Sequence, residues 1–329
     1  HPWHSQQGVI RERQGWIVEL LADEERRGYG DCAPLPSAGT EAPAIALAWL
    51  REQLPRFAGR GAGNLLDSLI TVPQAPAARH ALETALLDLL SQAQGLSLRQ
   101  WLTPDATARI GVNGSAGRLE GRSIASCNAL IEQGFGVIKL KVGLAPVDTE
   151  LRWLERLCRQ LPDPIKIRLD ANGAWNPVDA RRFLQAVDGM PVESLEEPLK
   201  MPNLRQLAEL QALTHAALAL DESLPGLPLP TLLENKPVRR LILKPTVLGG
   251  LTAAFRLAIR AKQAGLETLV TSTLESAVGM HAAAQLAAAI QDPQNPLDHG
   301  LATSQWLADD VAQPPQIHQG RIHLADSVG

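Results

Sequence analysis

The central part of the chain alternates short apolar runs with longer stretches of helical spacing. The runs begin near residue 108 and are ARIGVNG, GVIKLKVG, PIKIRLDANG, ESLEEP, LALDES, RRLILKP and TLVTST. Between them, segments such as residues 148–160 and 251–264 place apolar residues three or four positions apart, which is typical of amphipathic helices. Strands that alternate with helices at a nearly constant interval predict an α/β fold with parallel strands. Seven or eight such units close most economically into a (β/α) barrel. An open doubly wound sheet is the alternative, but no Gly-rich phosphate turn follows the first strand.

The first hundred or so residues have a different pattern. Two strands around a charged turn are predicted in WIVELLADEERRGYGDCAP, and helices are predicted over residues 43–54 and 78–95. We therefore expect an α+β domain over residues 1–103, followed by a barrel over residues 104–304. The final segment, 305–329, leaves the barrel pattern and is expected to return to the first domain.

Five charged residues stand at the ends of successive barrel runs: Lys141, Asp170, Glu196, Asp221 and Lys244. Catalytic residues of such barrels lie at the C-terminal ends of the strands. The three carboxylates close neighbouring strands and suit Mg²⁺ or Mn²⁺, whereas no His or Cys is offered for zinc. The two lysines are four strands apart, so a substrate bound at the metal would lie between them.

Alternation along the strands predicts where the neighbouring charges point. Lys139 and Lys141 share the interior face, and so do Arg168 and Asp170. We expect this cluster of interior cations to favour loss of a proton from Lys141 near neutral pH. A single charge at a strand end is usually a solvated cap, but five at the same end indicate a functional site.

Composition narrows the function classes further. The chain has 31 basic and 35 acidic residues without a dense basic block, so nucleic acid and anionic membranes are not expected partners. No apolar run is long enough to span a bilayer. The three scattered cysteines, Cys32, Cys127 and Cys158, are expected as core residues of a cytoplasmic protein. The chain starts at His1 without an initiator Met, which is compatible with further residues before it. Nothing in the sequence indicates an oligomeric state.

Two further expectations concern residues outside the five. Trp101, Trp153 and Trp306 are expected to be packing residues rather than substrate contacts. His299, beside Asp298, is expected to have an ordinary surface role.

Taken together, the strand-end motifs resemble the muconate-cycloisomerase-like branch of the enolase superfamily. The matching motifs are Lys139-Leu140-Lys141, Asp170-Ala171-Asn172, Glu196-Glu197-Pro198, Asp221-Glu222 and Lys244. The resemblance covers nearly the whole chain. It implies a modified (β/α)8 barrel of enolase type with an α+β capping domain formed by the N-terminal segment and the C-terminal tail. It also favours Glu196 over Glu197 as the metal ligand.

The flanking strings narrow the resemblance within the superfamily. Mandelate-racemase-like members use an Asp–His pair on the sixth and seventh strands, whereas this chain has Lys244 and no His in LVTSTLES. The strings GVIRERQGW, RLDANGAW, STLESAVG and HGLAT resemble the o-succinylbenzoate synthase family. Dipeptide epimerases carry a D-x-D motif on the eighth strand, and residues 298–303, DHGLAT, lack it.

This resemblance implies a Mg²⁺-dependent syn elimination of water that gives 2-succinylbenzoate, on the route to menaquinone or phylloquinone. Asp170, Glu196 and Asp221 would bind the metal, Lys141 would act as base and then acid, and Lys244 would stabilise the anionic ring from the opposite face. The partner is a small-molecule carboxylate. Further expected substrate-binding residues are Lys139, Arg168, Asn172, Ser272, Thr273 and Glu275, with Ser272 and Thr273 acting mainly through backbone N–H groups.

Other functions stay open at this point. An N-succinylamino-acid racemase or a muconate-type cycloisomerase would use the same two lysines. The loops that decide between them, roughly residues 1–10 and 34–42, cannot be interpreted from the sequence. A barrel that binds a metabolite without catalysis is the alternative from another class, and it would be expected to lack one of the five residues.

Overall fold

The computed structural model describes residues 3–5, 8–22, 26–69, 75–303 and 306–326. The N-terminal part contains two antiparallel strand pairs followed by helices. The strands are β1 (Trp3–Ser5), β2 (Gly8–Ile10), β3 (Trp16–Leu21) and β4 (Arg27–Cys32), paired β1–β2 and β3–β4. The helices are α1 (Pro43–Gln53), α2 (Ala62–Leu69), α3 (Pro76–Ala93) and α4 (Leu98–Leu102).

Helix α3 is the centre of this domain because strand β4 lies directly on it. A Cβ atom added at Gly30 would lie 1.8 Å from the carbonyl oxygen of Ala81, so only a glycine permits this approach. Leu82 and Leu86 of the same helix are buried in the domain core. The helix predicted over residues 78–95 is therefore present and packs its apolar residues into the domain core.

The barrel contains seven parallel strands in sequence order around the sheet. After β5 (Arg109–Gly111), they are β6 (Gly114–Arg118), β7 (Val137–Lys141), β8 (Lys166–Asp170), β9 (Val192–Glu196), β10 (Ala217–Leu220), β11 (Arg240–Leu243) and β12 (Glu267–Val270). The accompanying helices are α5 (Ser123–Glu132), α6 (Val147–Cys158), α7 (Pro177–Val187), α8 (Leu204–Gln211), α9 (Leu229–Asn235), α10 (Pro245–Leu248), α11 (Leu251–Gln263) and α12 (Ala277–Ile290). Ile138, Leu140 and Leu169 pack towards these helices, which leaves the alternate positions for the barrel interior.

A short irregular segment occupies the eighth position of the barrel. His299 bridges to Val112 on one side, and Gly300 bridges to Thr271 on the other. The His299 N–H donates to the Gly111 carbonyl oxygen at 2.8 Å, and the Gly300 N–H donates to that of Val270 at 2.9 Å. These bonds join the two edges of the seven-stranded sheet. The predicted fold class, a modified (β/α)8 barrel with a capping domain, is confirmed.

The C-terminal tail contributes strands β13 (Ile317–His318) and β14 (Arg321–His323). Strand β14 pairs antiparallel with β5, so the first half of the ARIGVNG run joins the tail rather than the parallel sheet. The tail also meets α4, where Arg99 Nη1 donates to the Ala325 carbonyl oxygen at 2.9 Å. In the part of the chain that the structure describes, no helix is long and apolar enough to cross a membrane.

Candidate active site

A cavity of about 580 Å³ opens at the C-terminal end of the barrel. Most of the residues predicted for the site line it, namely Lys139, Lys141, Asp170, Asn172, Asp221, Lys244, Ser272 and Thr273. Leu35, Ser37 and Ala38 from the capping domain complete its wall. The cavity therefore lies between the two domains, with its charged groups on the barrel side.

The parallel register brings the charged strand ends to one rim. Lys141 lies opposite Asp170, and Asp170 lies opposite Glu196, in the ladders of β7, β8 and β9. Asp221 and Lys244 directly follow β10 and β11. The three carboxylates are thus on adjacent strands, as the spacing predicts.

The ammonium group of Lys139 lies between two of these carboxylates. Its Nζ atom is 3.0 Å from Asp170 Oδ2, and 2.9 and 2.8 Å from the two carboxylate oxygens of Glu196. Burial disfavours the charged form of Lys139, but Asp170 and Glu196 overcome this cost and raise its pKa. Burial raises the pKa of Glu196 to about 8, against the opposing attraction of Lys139. Lys139 thus acts as the counter-cation of this part of the rim.

Lys244 forms the corresponding ion pair with Asp221. Burial opposes the charge of Lys244, but the carboxylates of Asp221 and Glu222 outweigh it and raise the pKa of the lysine. Burial also raises the pKa of Asp221, although Lys244 counteracts this effect. Each buried carboxylate described so far is therefore held by an ammonium group.

Glu197 has a different role from its neighbour Glu196. Its Oε1 atom accepts hydrogen bonds from the Asp221 N–H at 2.7 Å, the Ser223 N–H at 2.9 Å and the Ser223 hydroxyl at 2.7 Å. Its backbone is in the left-handed region, with φ of 44°. Glu197 therefore fixes the loop that carries Asp221, and Glu196 is the carboxylate at the rim.

A hydrogen-bonded chain positions Lys141. Its Nζ donates to Asn172 Oδ1 at 2.8 Å, and Asn172 Nδ2 donates to Glu222 Oε1 at 3.0 Å. The Asn172 N–H also donates to Asp170 Oδ1 at 3.1 Å. Asn172 is held on both sides, so its amide oxygen is oriented towards the lysine.

Arg168 lies in the barrel interior but is not among the residues that line the cavity. Its Nε donates to Glu193 Oε1 at 2.6 Å, and its Nη1 donates to the Asp298 carbonyl oxygen at 2.6 Å. Arg240 shares the same Glu193 oxygen at 2.9 Å. These charges compensate one another beneath the cavity, so the structure does not bring Arg168 to the substrate side.

Glu275 is also behind the cavity wall. Its carboxylate accepts from the Thr273 N–H at 2.6 Å and from the Thr246 hydroxyl at 2.7 Å. The Ser272 N–H donates to the Gly300 carbonyl oxygen at 3.4 Å. The two backbone N–H groups that the sequence offers for substrate binding thus already have partners, and the side chains of Ser272 and Thr273 form the wall.

Several lining residues are not predicted from the sequence. They are Asn113, Ser115, Gly173, Lys200, Glu222, Thr271, Leu274, Gly300, Ala302, Thr303 and Trp306. The capping residues Leu35, Ser37 and Ala38, by contrast, lie within the loop at residues 34–42 that is expected to decide the substrate. Glu222 could have been found because it directly follows Asp221. Trp306, expected as a packing residue, lines the cavity. The expected surface role of His299 is wrong, since that residue is 1% exposed.

The donor set fits a divalent cation, although the carboxylates are engaged with lysines. Within the described ranges, no group of three His, Cys, Asp or Glu side chains is arranged to hold a metal ion. Asp170, Glu196 and Asp221 nevertheless offer hard oxygen ligands on adjacent strands and already bind cationic groups. Their chemistry and location therefore suit Mg²⁺.

Comparison with known proteins identifies the class. Residues 122–329 match the family model described as enolase C-terminal domain-like. The chain is 32% identical to the o-succinylbenzoate synthase of Desulfotalea psychrophila, over 98% of this chain and 95% of the relative. The chain belongs to the enolase superfamily of enzymes, as its strand-end motifs predict.

Other members with different activities are also similar. The L-Ala-D/L-Glu epimerase of Bacillus subtilis is 25% identical over 87% of this chain and 81% of its own length. Its substrate-liganded structure superposes with a TM-score of 0.90, covering 100% of this chain and 93% of that one. A dipeptide epimerase from Enterococcus faecalis, complexed with Mg and L-Leu-L-Tyr, gives a TM-score of 0.88 at 23% identity, over 100% of this chain and 94% of that one. The fold is thus shared among enzymes with different reactions.

Proposed function

We propose that the protein is an o-succinylbenzoate synthase. It would eliminate water from 2-succinyl-6-hydroxy-2,4-cyclohexadiene-1-carboxylate to give 2-succinylbenzoate, as part of menaquinone or phylloquinone biosynthesis. The reaction removes a weakly acidic proton next to a carboxylate and expels a hydroxyl from the neighbouring carbon. The 32% identical relative with this activity supports the assignment.

The observation that carries the proposal is the composition of the eighth barrel position. Gly300, Ala302 and Thr303 line the cavity there, and none of them carries a charge. A D-x-D motif at this position would supply carboxylates for the ammonium of a dipeptide. Asp298 lies beneath the cavity, where its carbonyl oxygen accepts from Arg168. An uncharged wall opposite a cluster of lysines suits a substrate that carries carboxylates and no ammonium group.

We further propose that Asp170, Glu196 and Asp221 hold a Mg²⁺ ion, for which Mn²⁺ could substitute. When bound, this ion supplies positive charge that stabilises the negative charge developing on the substrate carboxylate. Lys139 and Lys244 hold these same carboxylates, so their ammonium groups compete with the ion.

Lys141 is the group proposed to move the proton. Neutral Nζ of Lys141 removes the proton from the carbon next to the carboxylate and then gives it to the departing hydroxyl on the same face. One C–H bond and one C–O bond break, one C=C bond forms, and water leaves, so the lysine ends in its starting state. Asn172 orients this lysine through the 2.8 Å hydrogen bond.

Lys244 is proposed to face Lys141 across the ring. The two lysines line the same cavity from strand ends that are four strands apart in an eight-position barrel. As an ammonium ion, Lys244 stabilises the anionic ring by charge and by cation–π attraction.

The proposal is tested by following conversion of the cyclohexadiene substrate spectroscopically, with Mg²⁺ and with excess EDTA. We expect turnover with Mg²⁺ and loss of it in EDTA, restored by added Mg²⁺. Absence of metal-dependent turnover of this substrate would refute the assignment.

A second candidate is an N-succinylamino-acid racemase. The opposed positions of Lys141 and Lys244 favour it, because exchange of a proton between two bases on opposite faces inverts a carbon centre. Solvent-deuterium exchange at the α-carbon of both enantiomers of an N-succinylamino acid distinguishes the two functions. Rapid exchange in both enantiomers supports the racemase. A muconate-type cycloisomerase is excluded if cis,cis-muconate is not consumed.

A further inference from the structure

One arginine joins the two domains at the edge of the cavity. Arg13 lies in the segment before β3 and is half-buried. Its guanidinium donates to carbonyl oxygens of two segments that are more than 200 residues apart in sequence. On the capping side, Nη1 donates to Pro34 at 2.8 Å and Nη2 donates to Ala33 at 2.8 Å.

The other contacts of Arg13 are on the barrel side. Its Nε donates to the Leu274 carbonyl oxygen at 3.1 Å, and Nη2 also donates to that of Thr273 at 3.4 Å. All three guanidinium nitrogens therefore take part in the bridge. Such a planar fork can contact both segments at once, which a lysine ammonium cannot do with the same geometry.

Both segments form the cavity wall directly beyond these contacts. On the capping side, Leu35 and Ser37 follow the carbonyl groups that Arg13 binds. On the barrel side, Thr273 and Leu274 line the cavity themselves. Leu274 has φ of 61°, a left-handed conformation that is unfavourable for a leucine and needs support from its surroundings.

Two carboxylates balance the positive charge of Arg13 at this contact between the domains. The negative charges of the Glu275 and Asp31 carboxylates attract the guanidinium of Arg13. Asp31 Oδ2 accepts from the Ser276 N–H at 2.7 Å, and Glu275 accepts from the Thr273 N–H at 2.6 Å. These contacts thus join the loop after β12 to the capping domain through side chains of both.

We infer that Arg13 is a positioning residue that sets the width of the cavity between the capping segment at residues 33–38 and the loop at residues 272–275. The effect on substrate binding rests on the proposed function. The walls that it holds are separate from the charged strand ends of β7 and β11. They therefore contact the part of the substrate remote from the reacting carbon. Loss of such contacts weakens binding equally in the ground state and the transition state, which raises KM and leaves kcat nearly unchanged.

The test compares Arg13→Lys with Arg99→Lys as a matched control. Arg99 is also a buried arginine that joins distant segments, but it binds the tail at Ala325, away from the cavity. We expect Arg13→Lys to raise KM roughly tenfold while kcat stays within about threefold, since one or two hydrogen bonds are lost. Arg99→Lys should lower the unfolding temperature without changing KM. A fall in kcat at constant KM, or equal KM changes in both variants, contradicts the inference.

Hydrogen exchange measured by mass spectrometry tests the bridge without turnover. In Arg13→Lys, residues 33–38 and 272–275 should both exchange faster, while Arg99→Lys should affect residues 98–102 and 321–326. If Arg13→Lys does not fold, native-state exchange of the wild-type protein in low denaturant replaces it, and the two segments should open as one unit. Independent opening refutes the bridge. If the wild-type enzyme does not turn over the substrate, the proposed function fails, and the exchange result still decides the role of Arg13.

Discussion

Two lysines of the cavity pair with carboxylates, and this pairing defines their chemistry at the scale of single residues. Lys139 lies between Asp170 and Glu196, and Lys244 pairs with Asp221. Lys141 donates to the neutral amide oxygen of Asn172. The neighbouring carboxylates keep Lys139 and Lys244 charged, because their attraction exceeds the desolvation cost and raises the pKa of both lysines. Lys139 and Lys244 are thus suited to electrostatic stabilisation.

Replacement of Lys141 by Ala tests its role as the base. We expect turnover to fall by at least the 10²–10⁴-fold or so that general acid–base catalysis contributes. Binding of Mg²⁺ should persist, because the three proposed ligands are unchanged. Initial rates and calorimetric titration with Mg²⁺ measure the two effects. The control is Lys166→Ala, an exposed lysine at the opposite end of β8. A Lys141→Ala variant with the wild-type rate would rule out this assignment.

Individual residues show which features of the site can be predicted from the sequence and which cannot. The parallel strands dictate which residues reach the rim, so Lys141, Asp170 and Asp221 are predictable from spacing. The direction of Glu197 is not, because it depends on donors of the next loop, at Asp221 and Ser223. The partners of Arg168 depend likewise on Glu193 and the eighth segment, which lie far away in sequence.

At the scale of elements, the eighth segment differs from the other barrel strands. The seven strands β6 to β12 form parallel ladders of at least two residue pairs each, while His299 and Gly300 make one bridge each. No apolar alternation marks residues 298–301, since their pairing is too short to need it. The apolar pattern therefore predicts the long strands but not this closure, which only the family resemblance places at residues 298–303. The pattern also misses α2, and it assigns the start of ARIGVNG to the barrel although β14 competes for the same backbone.

The imidazole of His299 makes the closure sensitive to pH. Its Nδ1 accepts from the Val270 N–H at 3.0 Å, so Nε2 carries the proton and donates to Gln291 Oε1 at 2.6 Å. A second proton would place two N–H groups against each other. Burial lowers the pKa of His299 from its ordinary 6.5 to about 3. Between about pH 3 and pH 6.5, His299 therefore carries a second proton in the unfolded chain but not in the folded chain.

The contribution of His299 to the free energy of unfolding should therefore fall as the pH falls through this window. The contribution of His299 is at most about 1.4 kcal/mol per pH unit below 6.5. Burial also lowers the pKa of His80, to about 4, which acts in the same direction. Burial raises the pKa of Asp31 to about 6 and those of Glu196 and Glu197 to about 8, so these carboxyl groups bind protons in the folded chain and oppose the loss.

Urea unfolding at pH 7, 6 and 5 measures this dependence. His299→Gln keeps an acceptor for Val270 and removes the titrating group, so its free energy of unfolding relative to the wild type should increase as the pH falls. His318→Gln, at an exposed position of the tail, serves as the control and should follow the wild type. Parallel curves for wild type and His299→Gln would contradict the explanation.

At the scale of the whole molecule, the cavity combines a rigid charged floor with a wall shared between two domains. The floor is carried by the ends of parallel strands, and the wall includes the capping residues Leu35, Ser37 and Ala38. If Asp170, Glu196 and Asp221 hold a divalent ion, as proposed, that ion would link the ends of β8, β9 and β10 and stabilise the folded chain.

Addition of Mg²⁺ should accordingly raise the temperature of thermal unfolding. At a concentration one hundred times the Kd, binding to the folded state contributes about 2.7 kcal/mol. Calorimetry with Mg²⁺ and with EDTA measures the shift. Asp170→Asn removes one ligand charge and should abolish most of it, whereas Asp309→Asn, at an exposed position, should retain it. A shift of equal size in Asp170→Asn would place the ion elsewhere.

The weakly paired eighth segment has a consequence for how such enzymes diverge. Side chains after Leu301 can be exchanged, inserted or removed without breaking a ladder bond of the other seven strands, because the segment is joined at two bridges within the described chain. The lysines proposed to handle the proton stand instead at the ends of strands that pair with both neighbours. Substitutions in the eighth segment can thus change which substrate binds without changing the proton-transfer residues. Substrate choice and proton transfer then depend on different parts of one barrel.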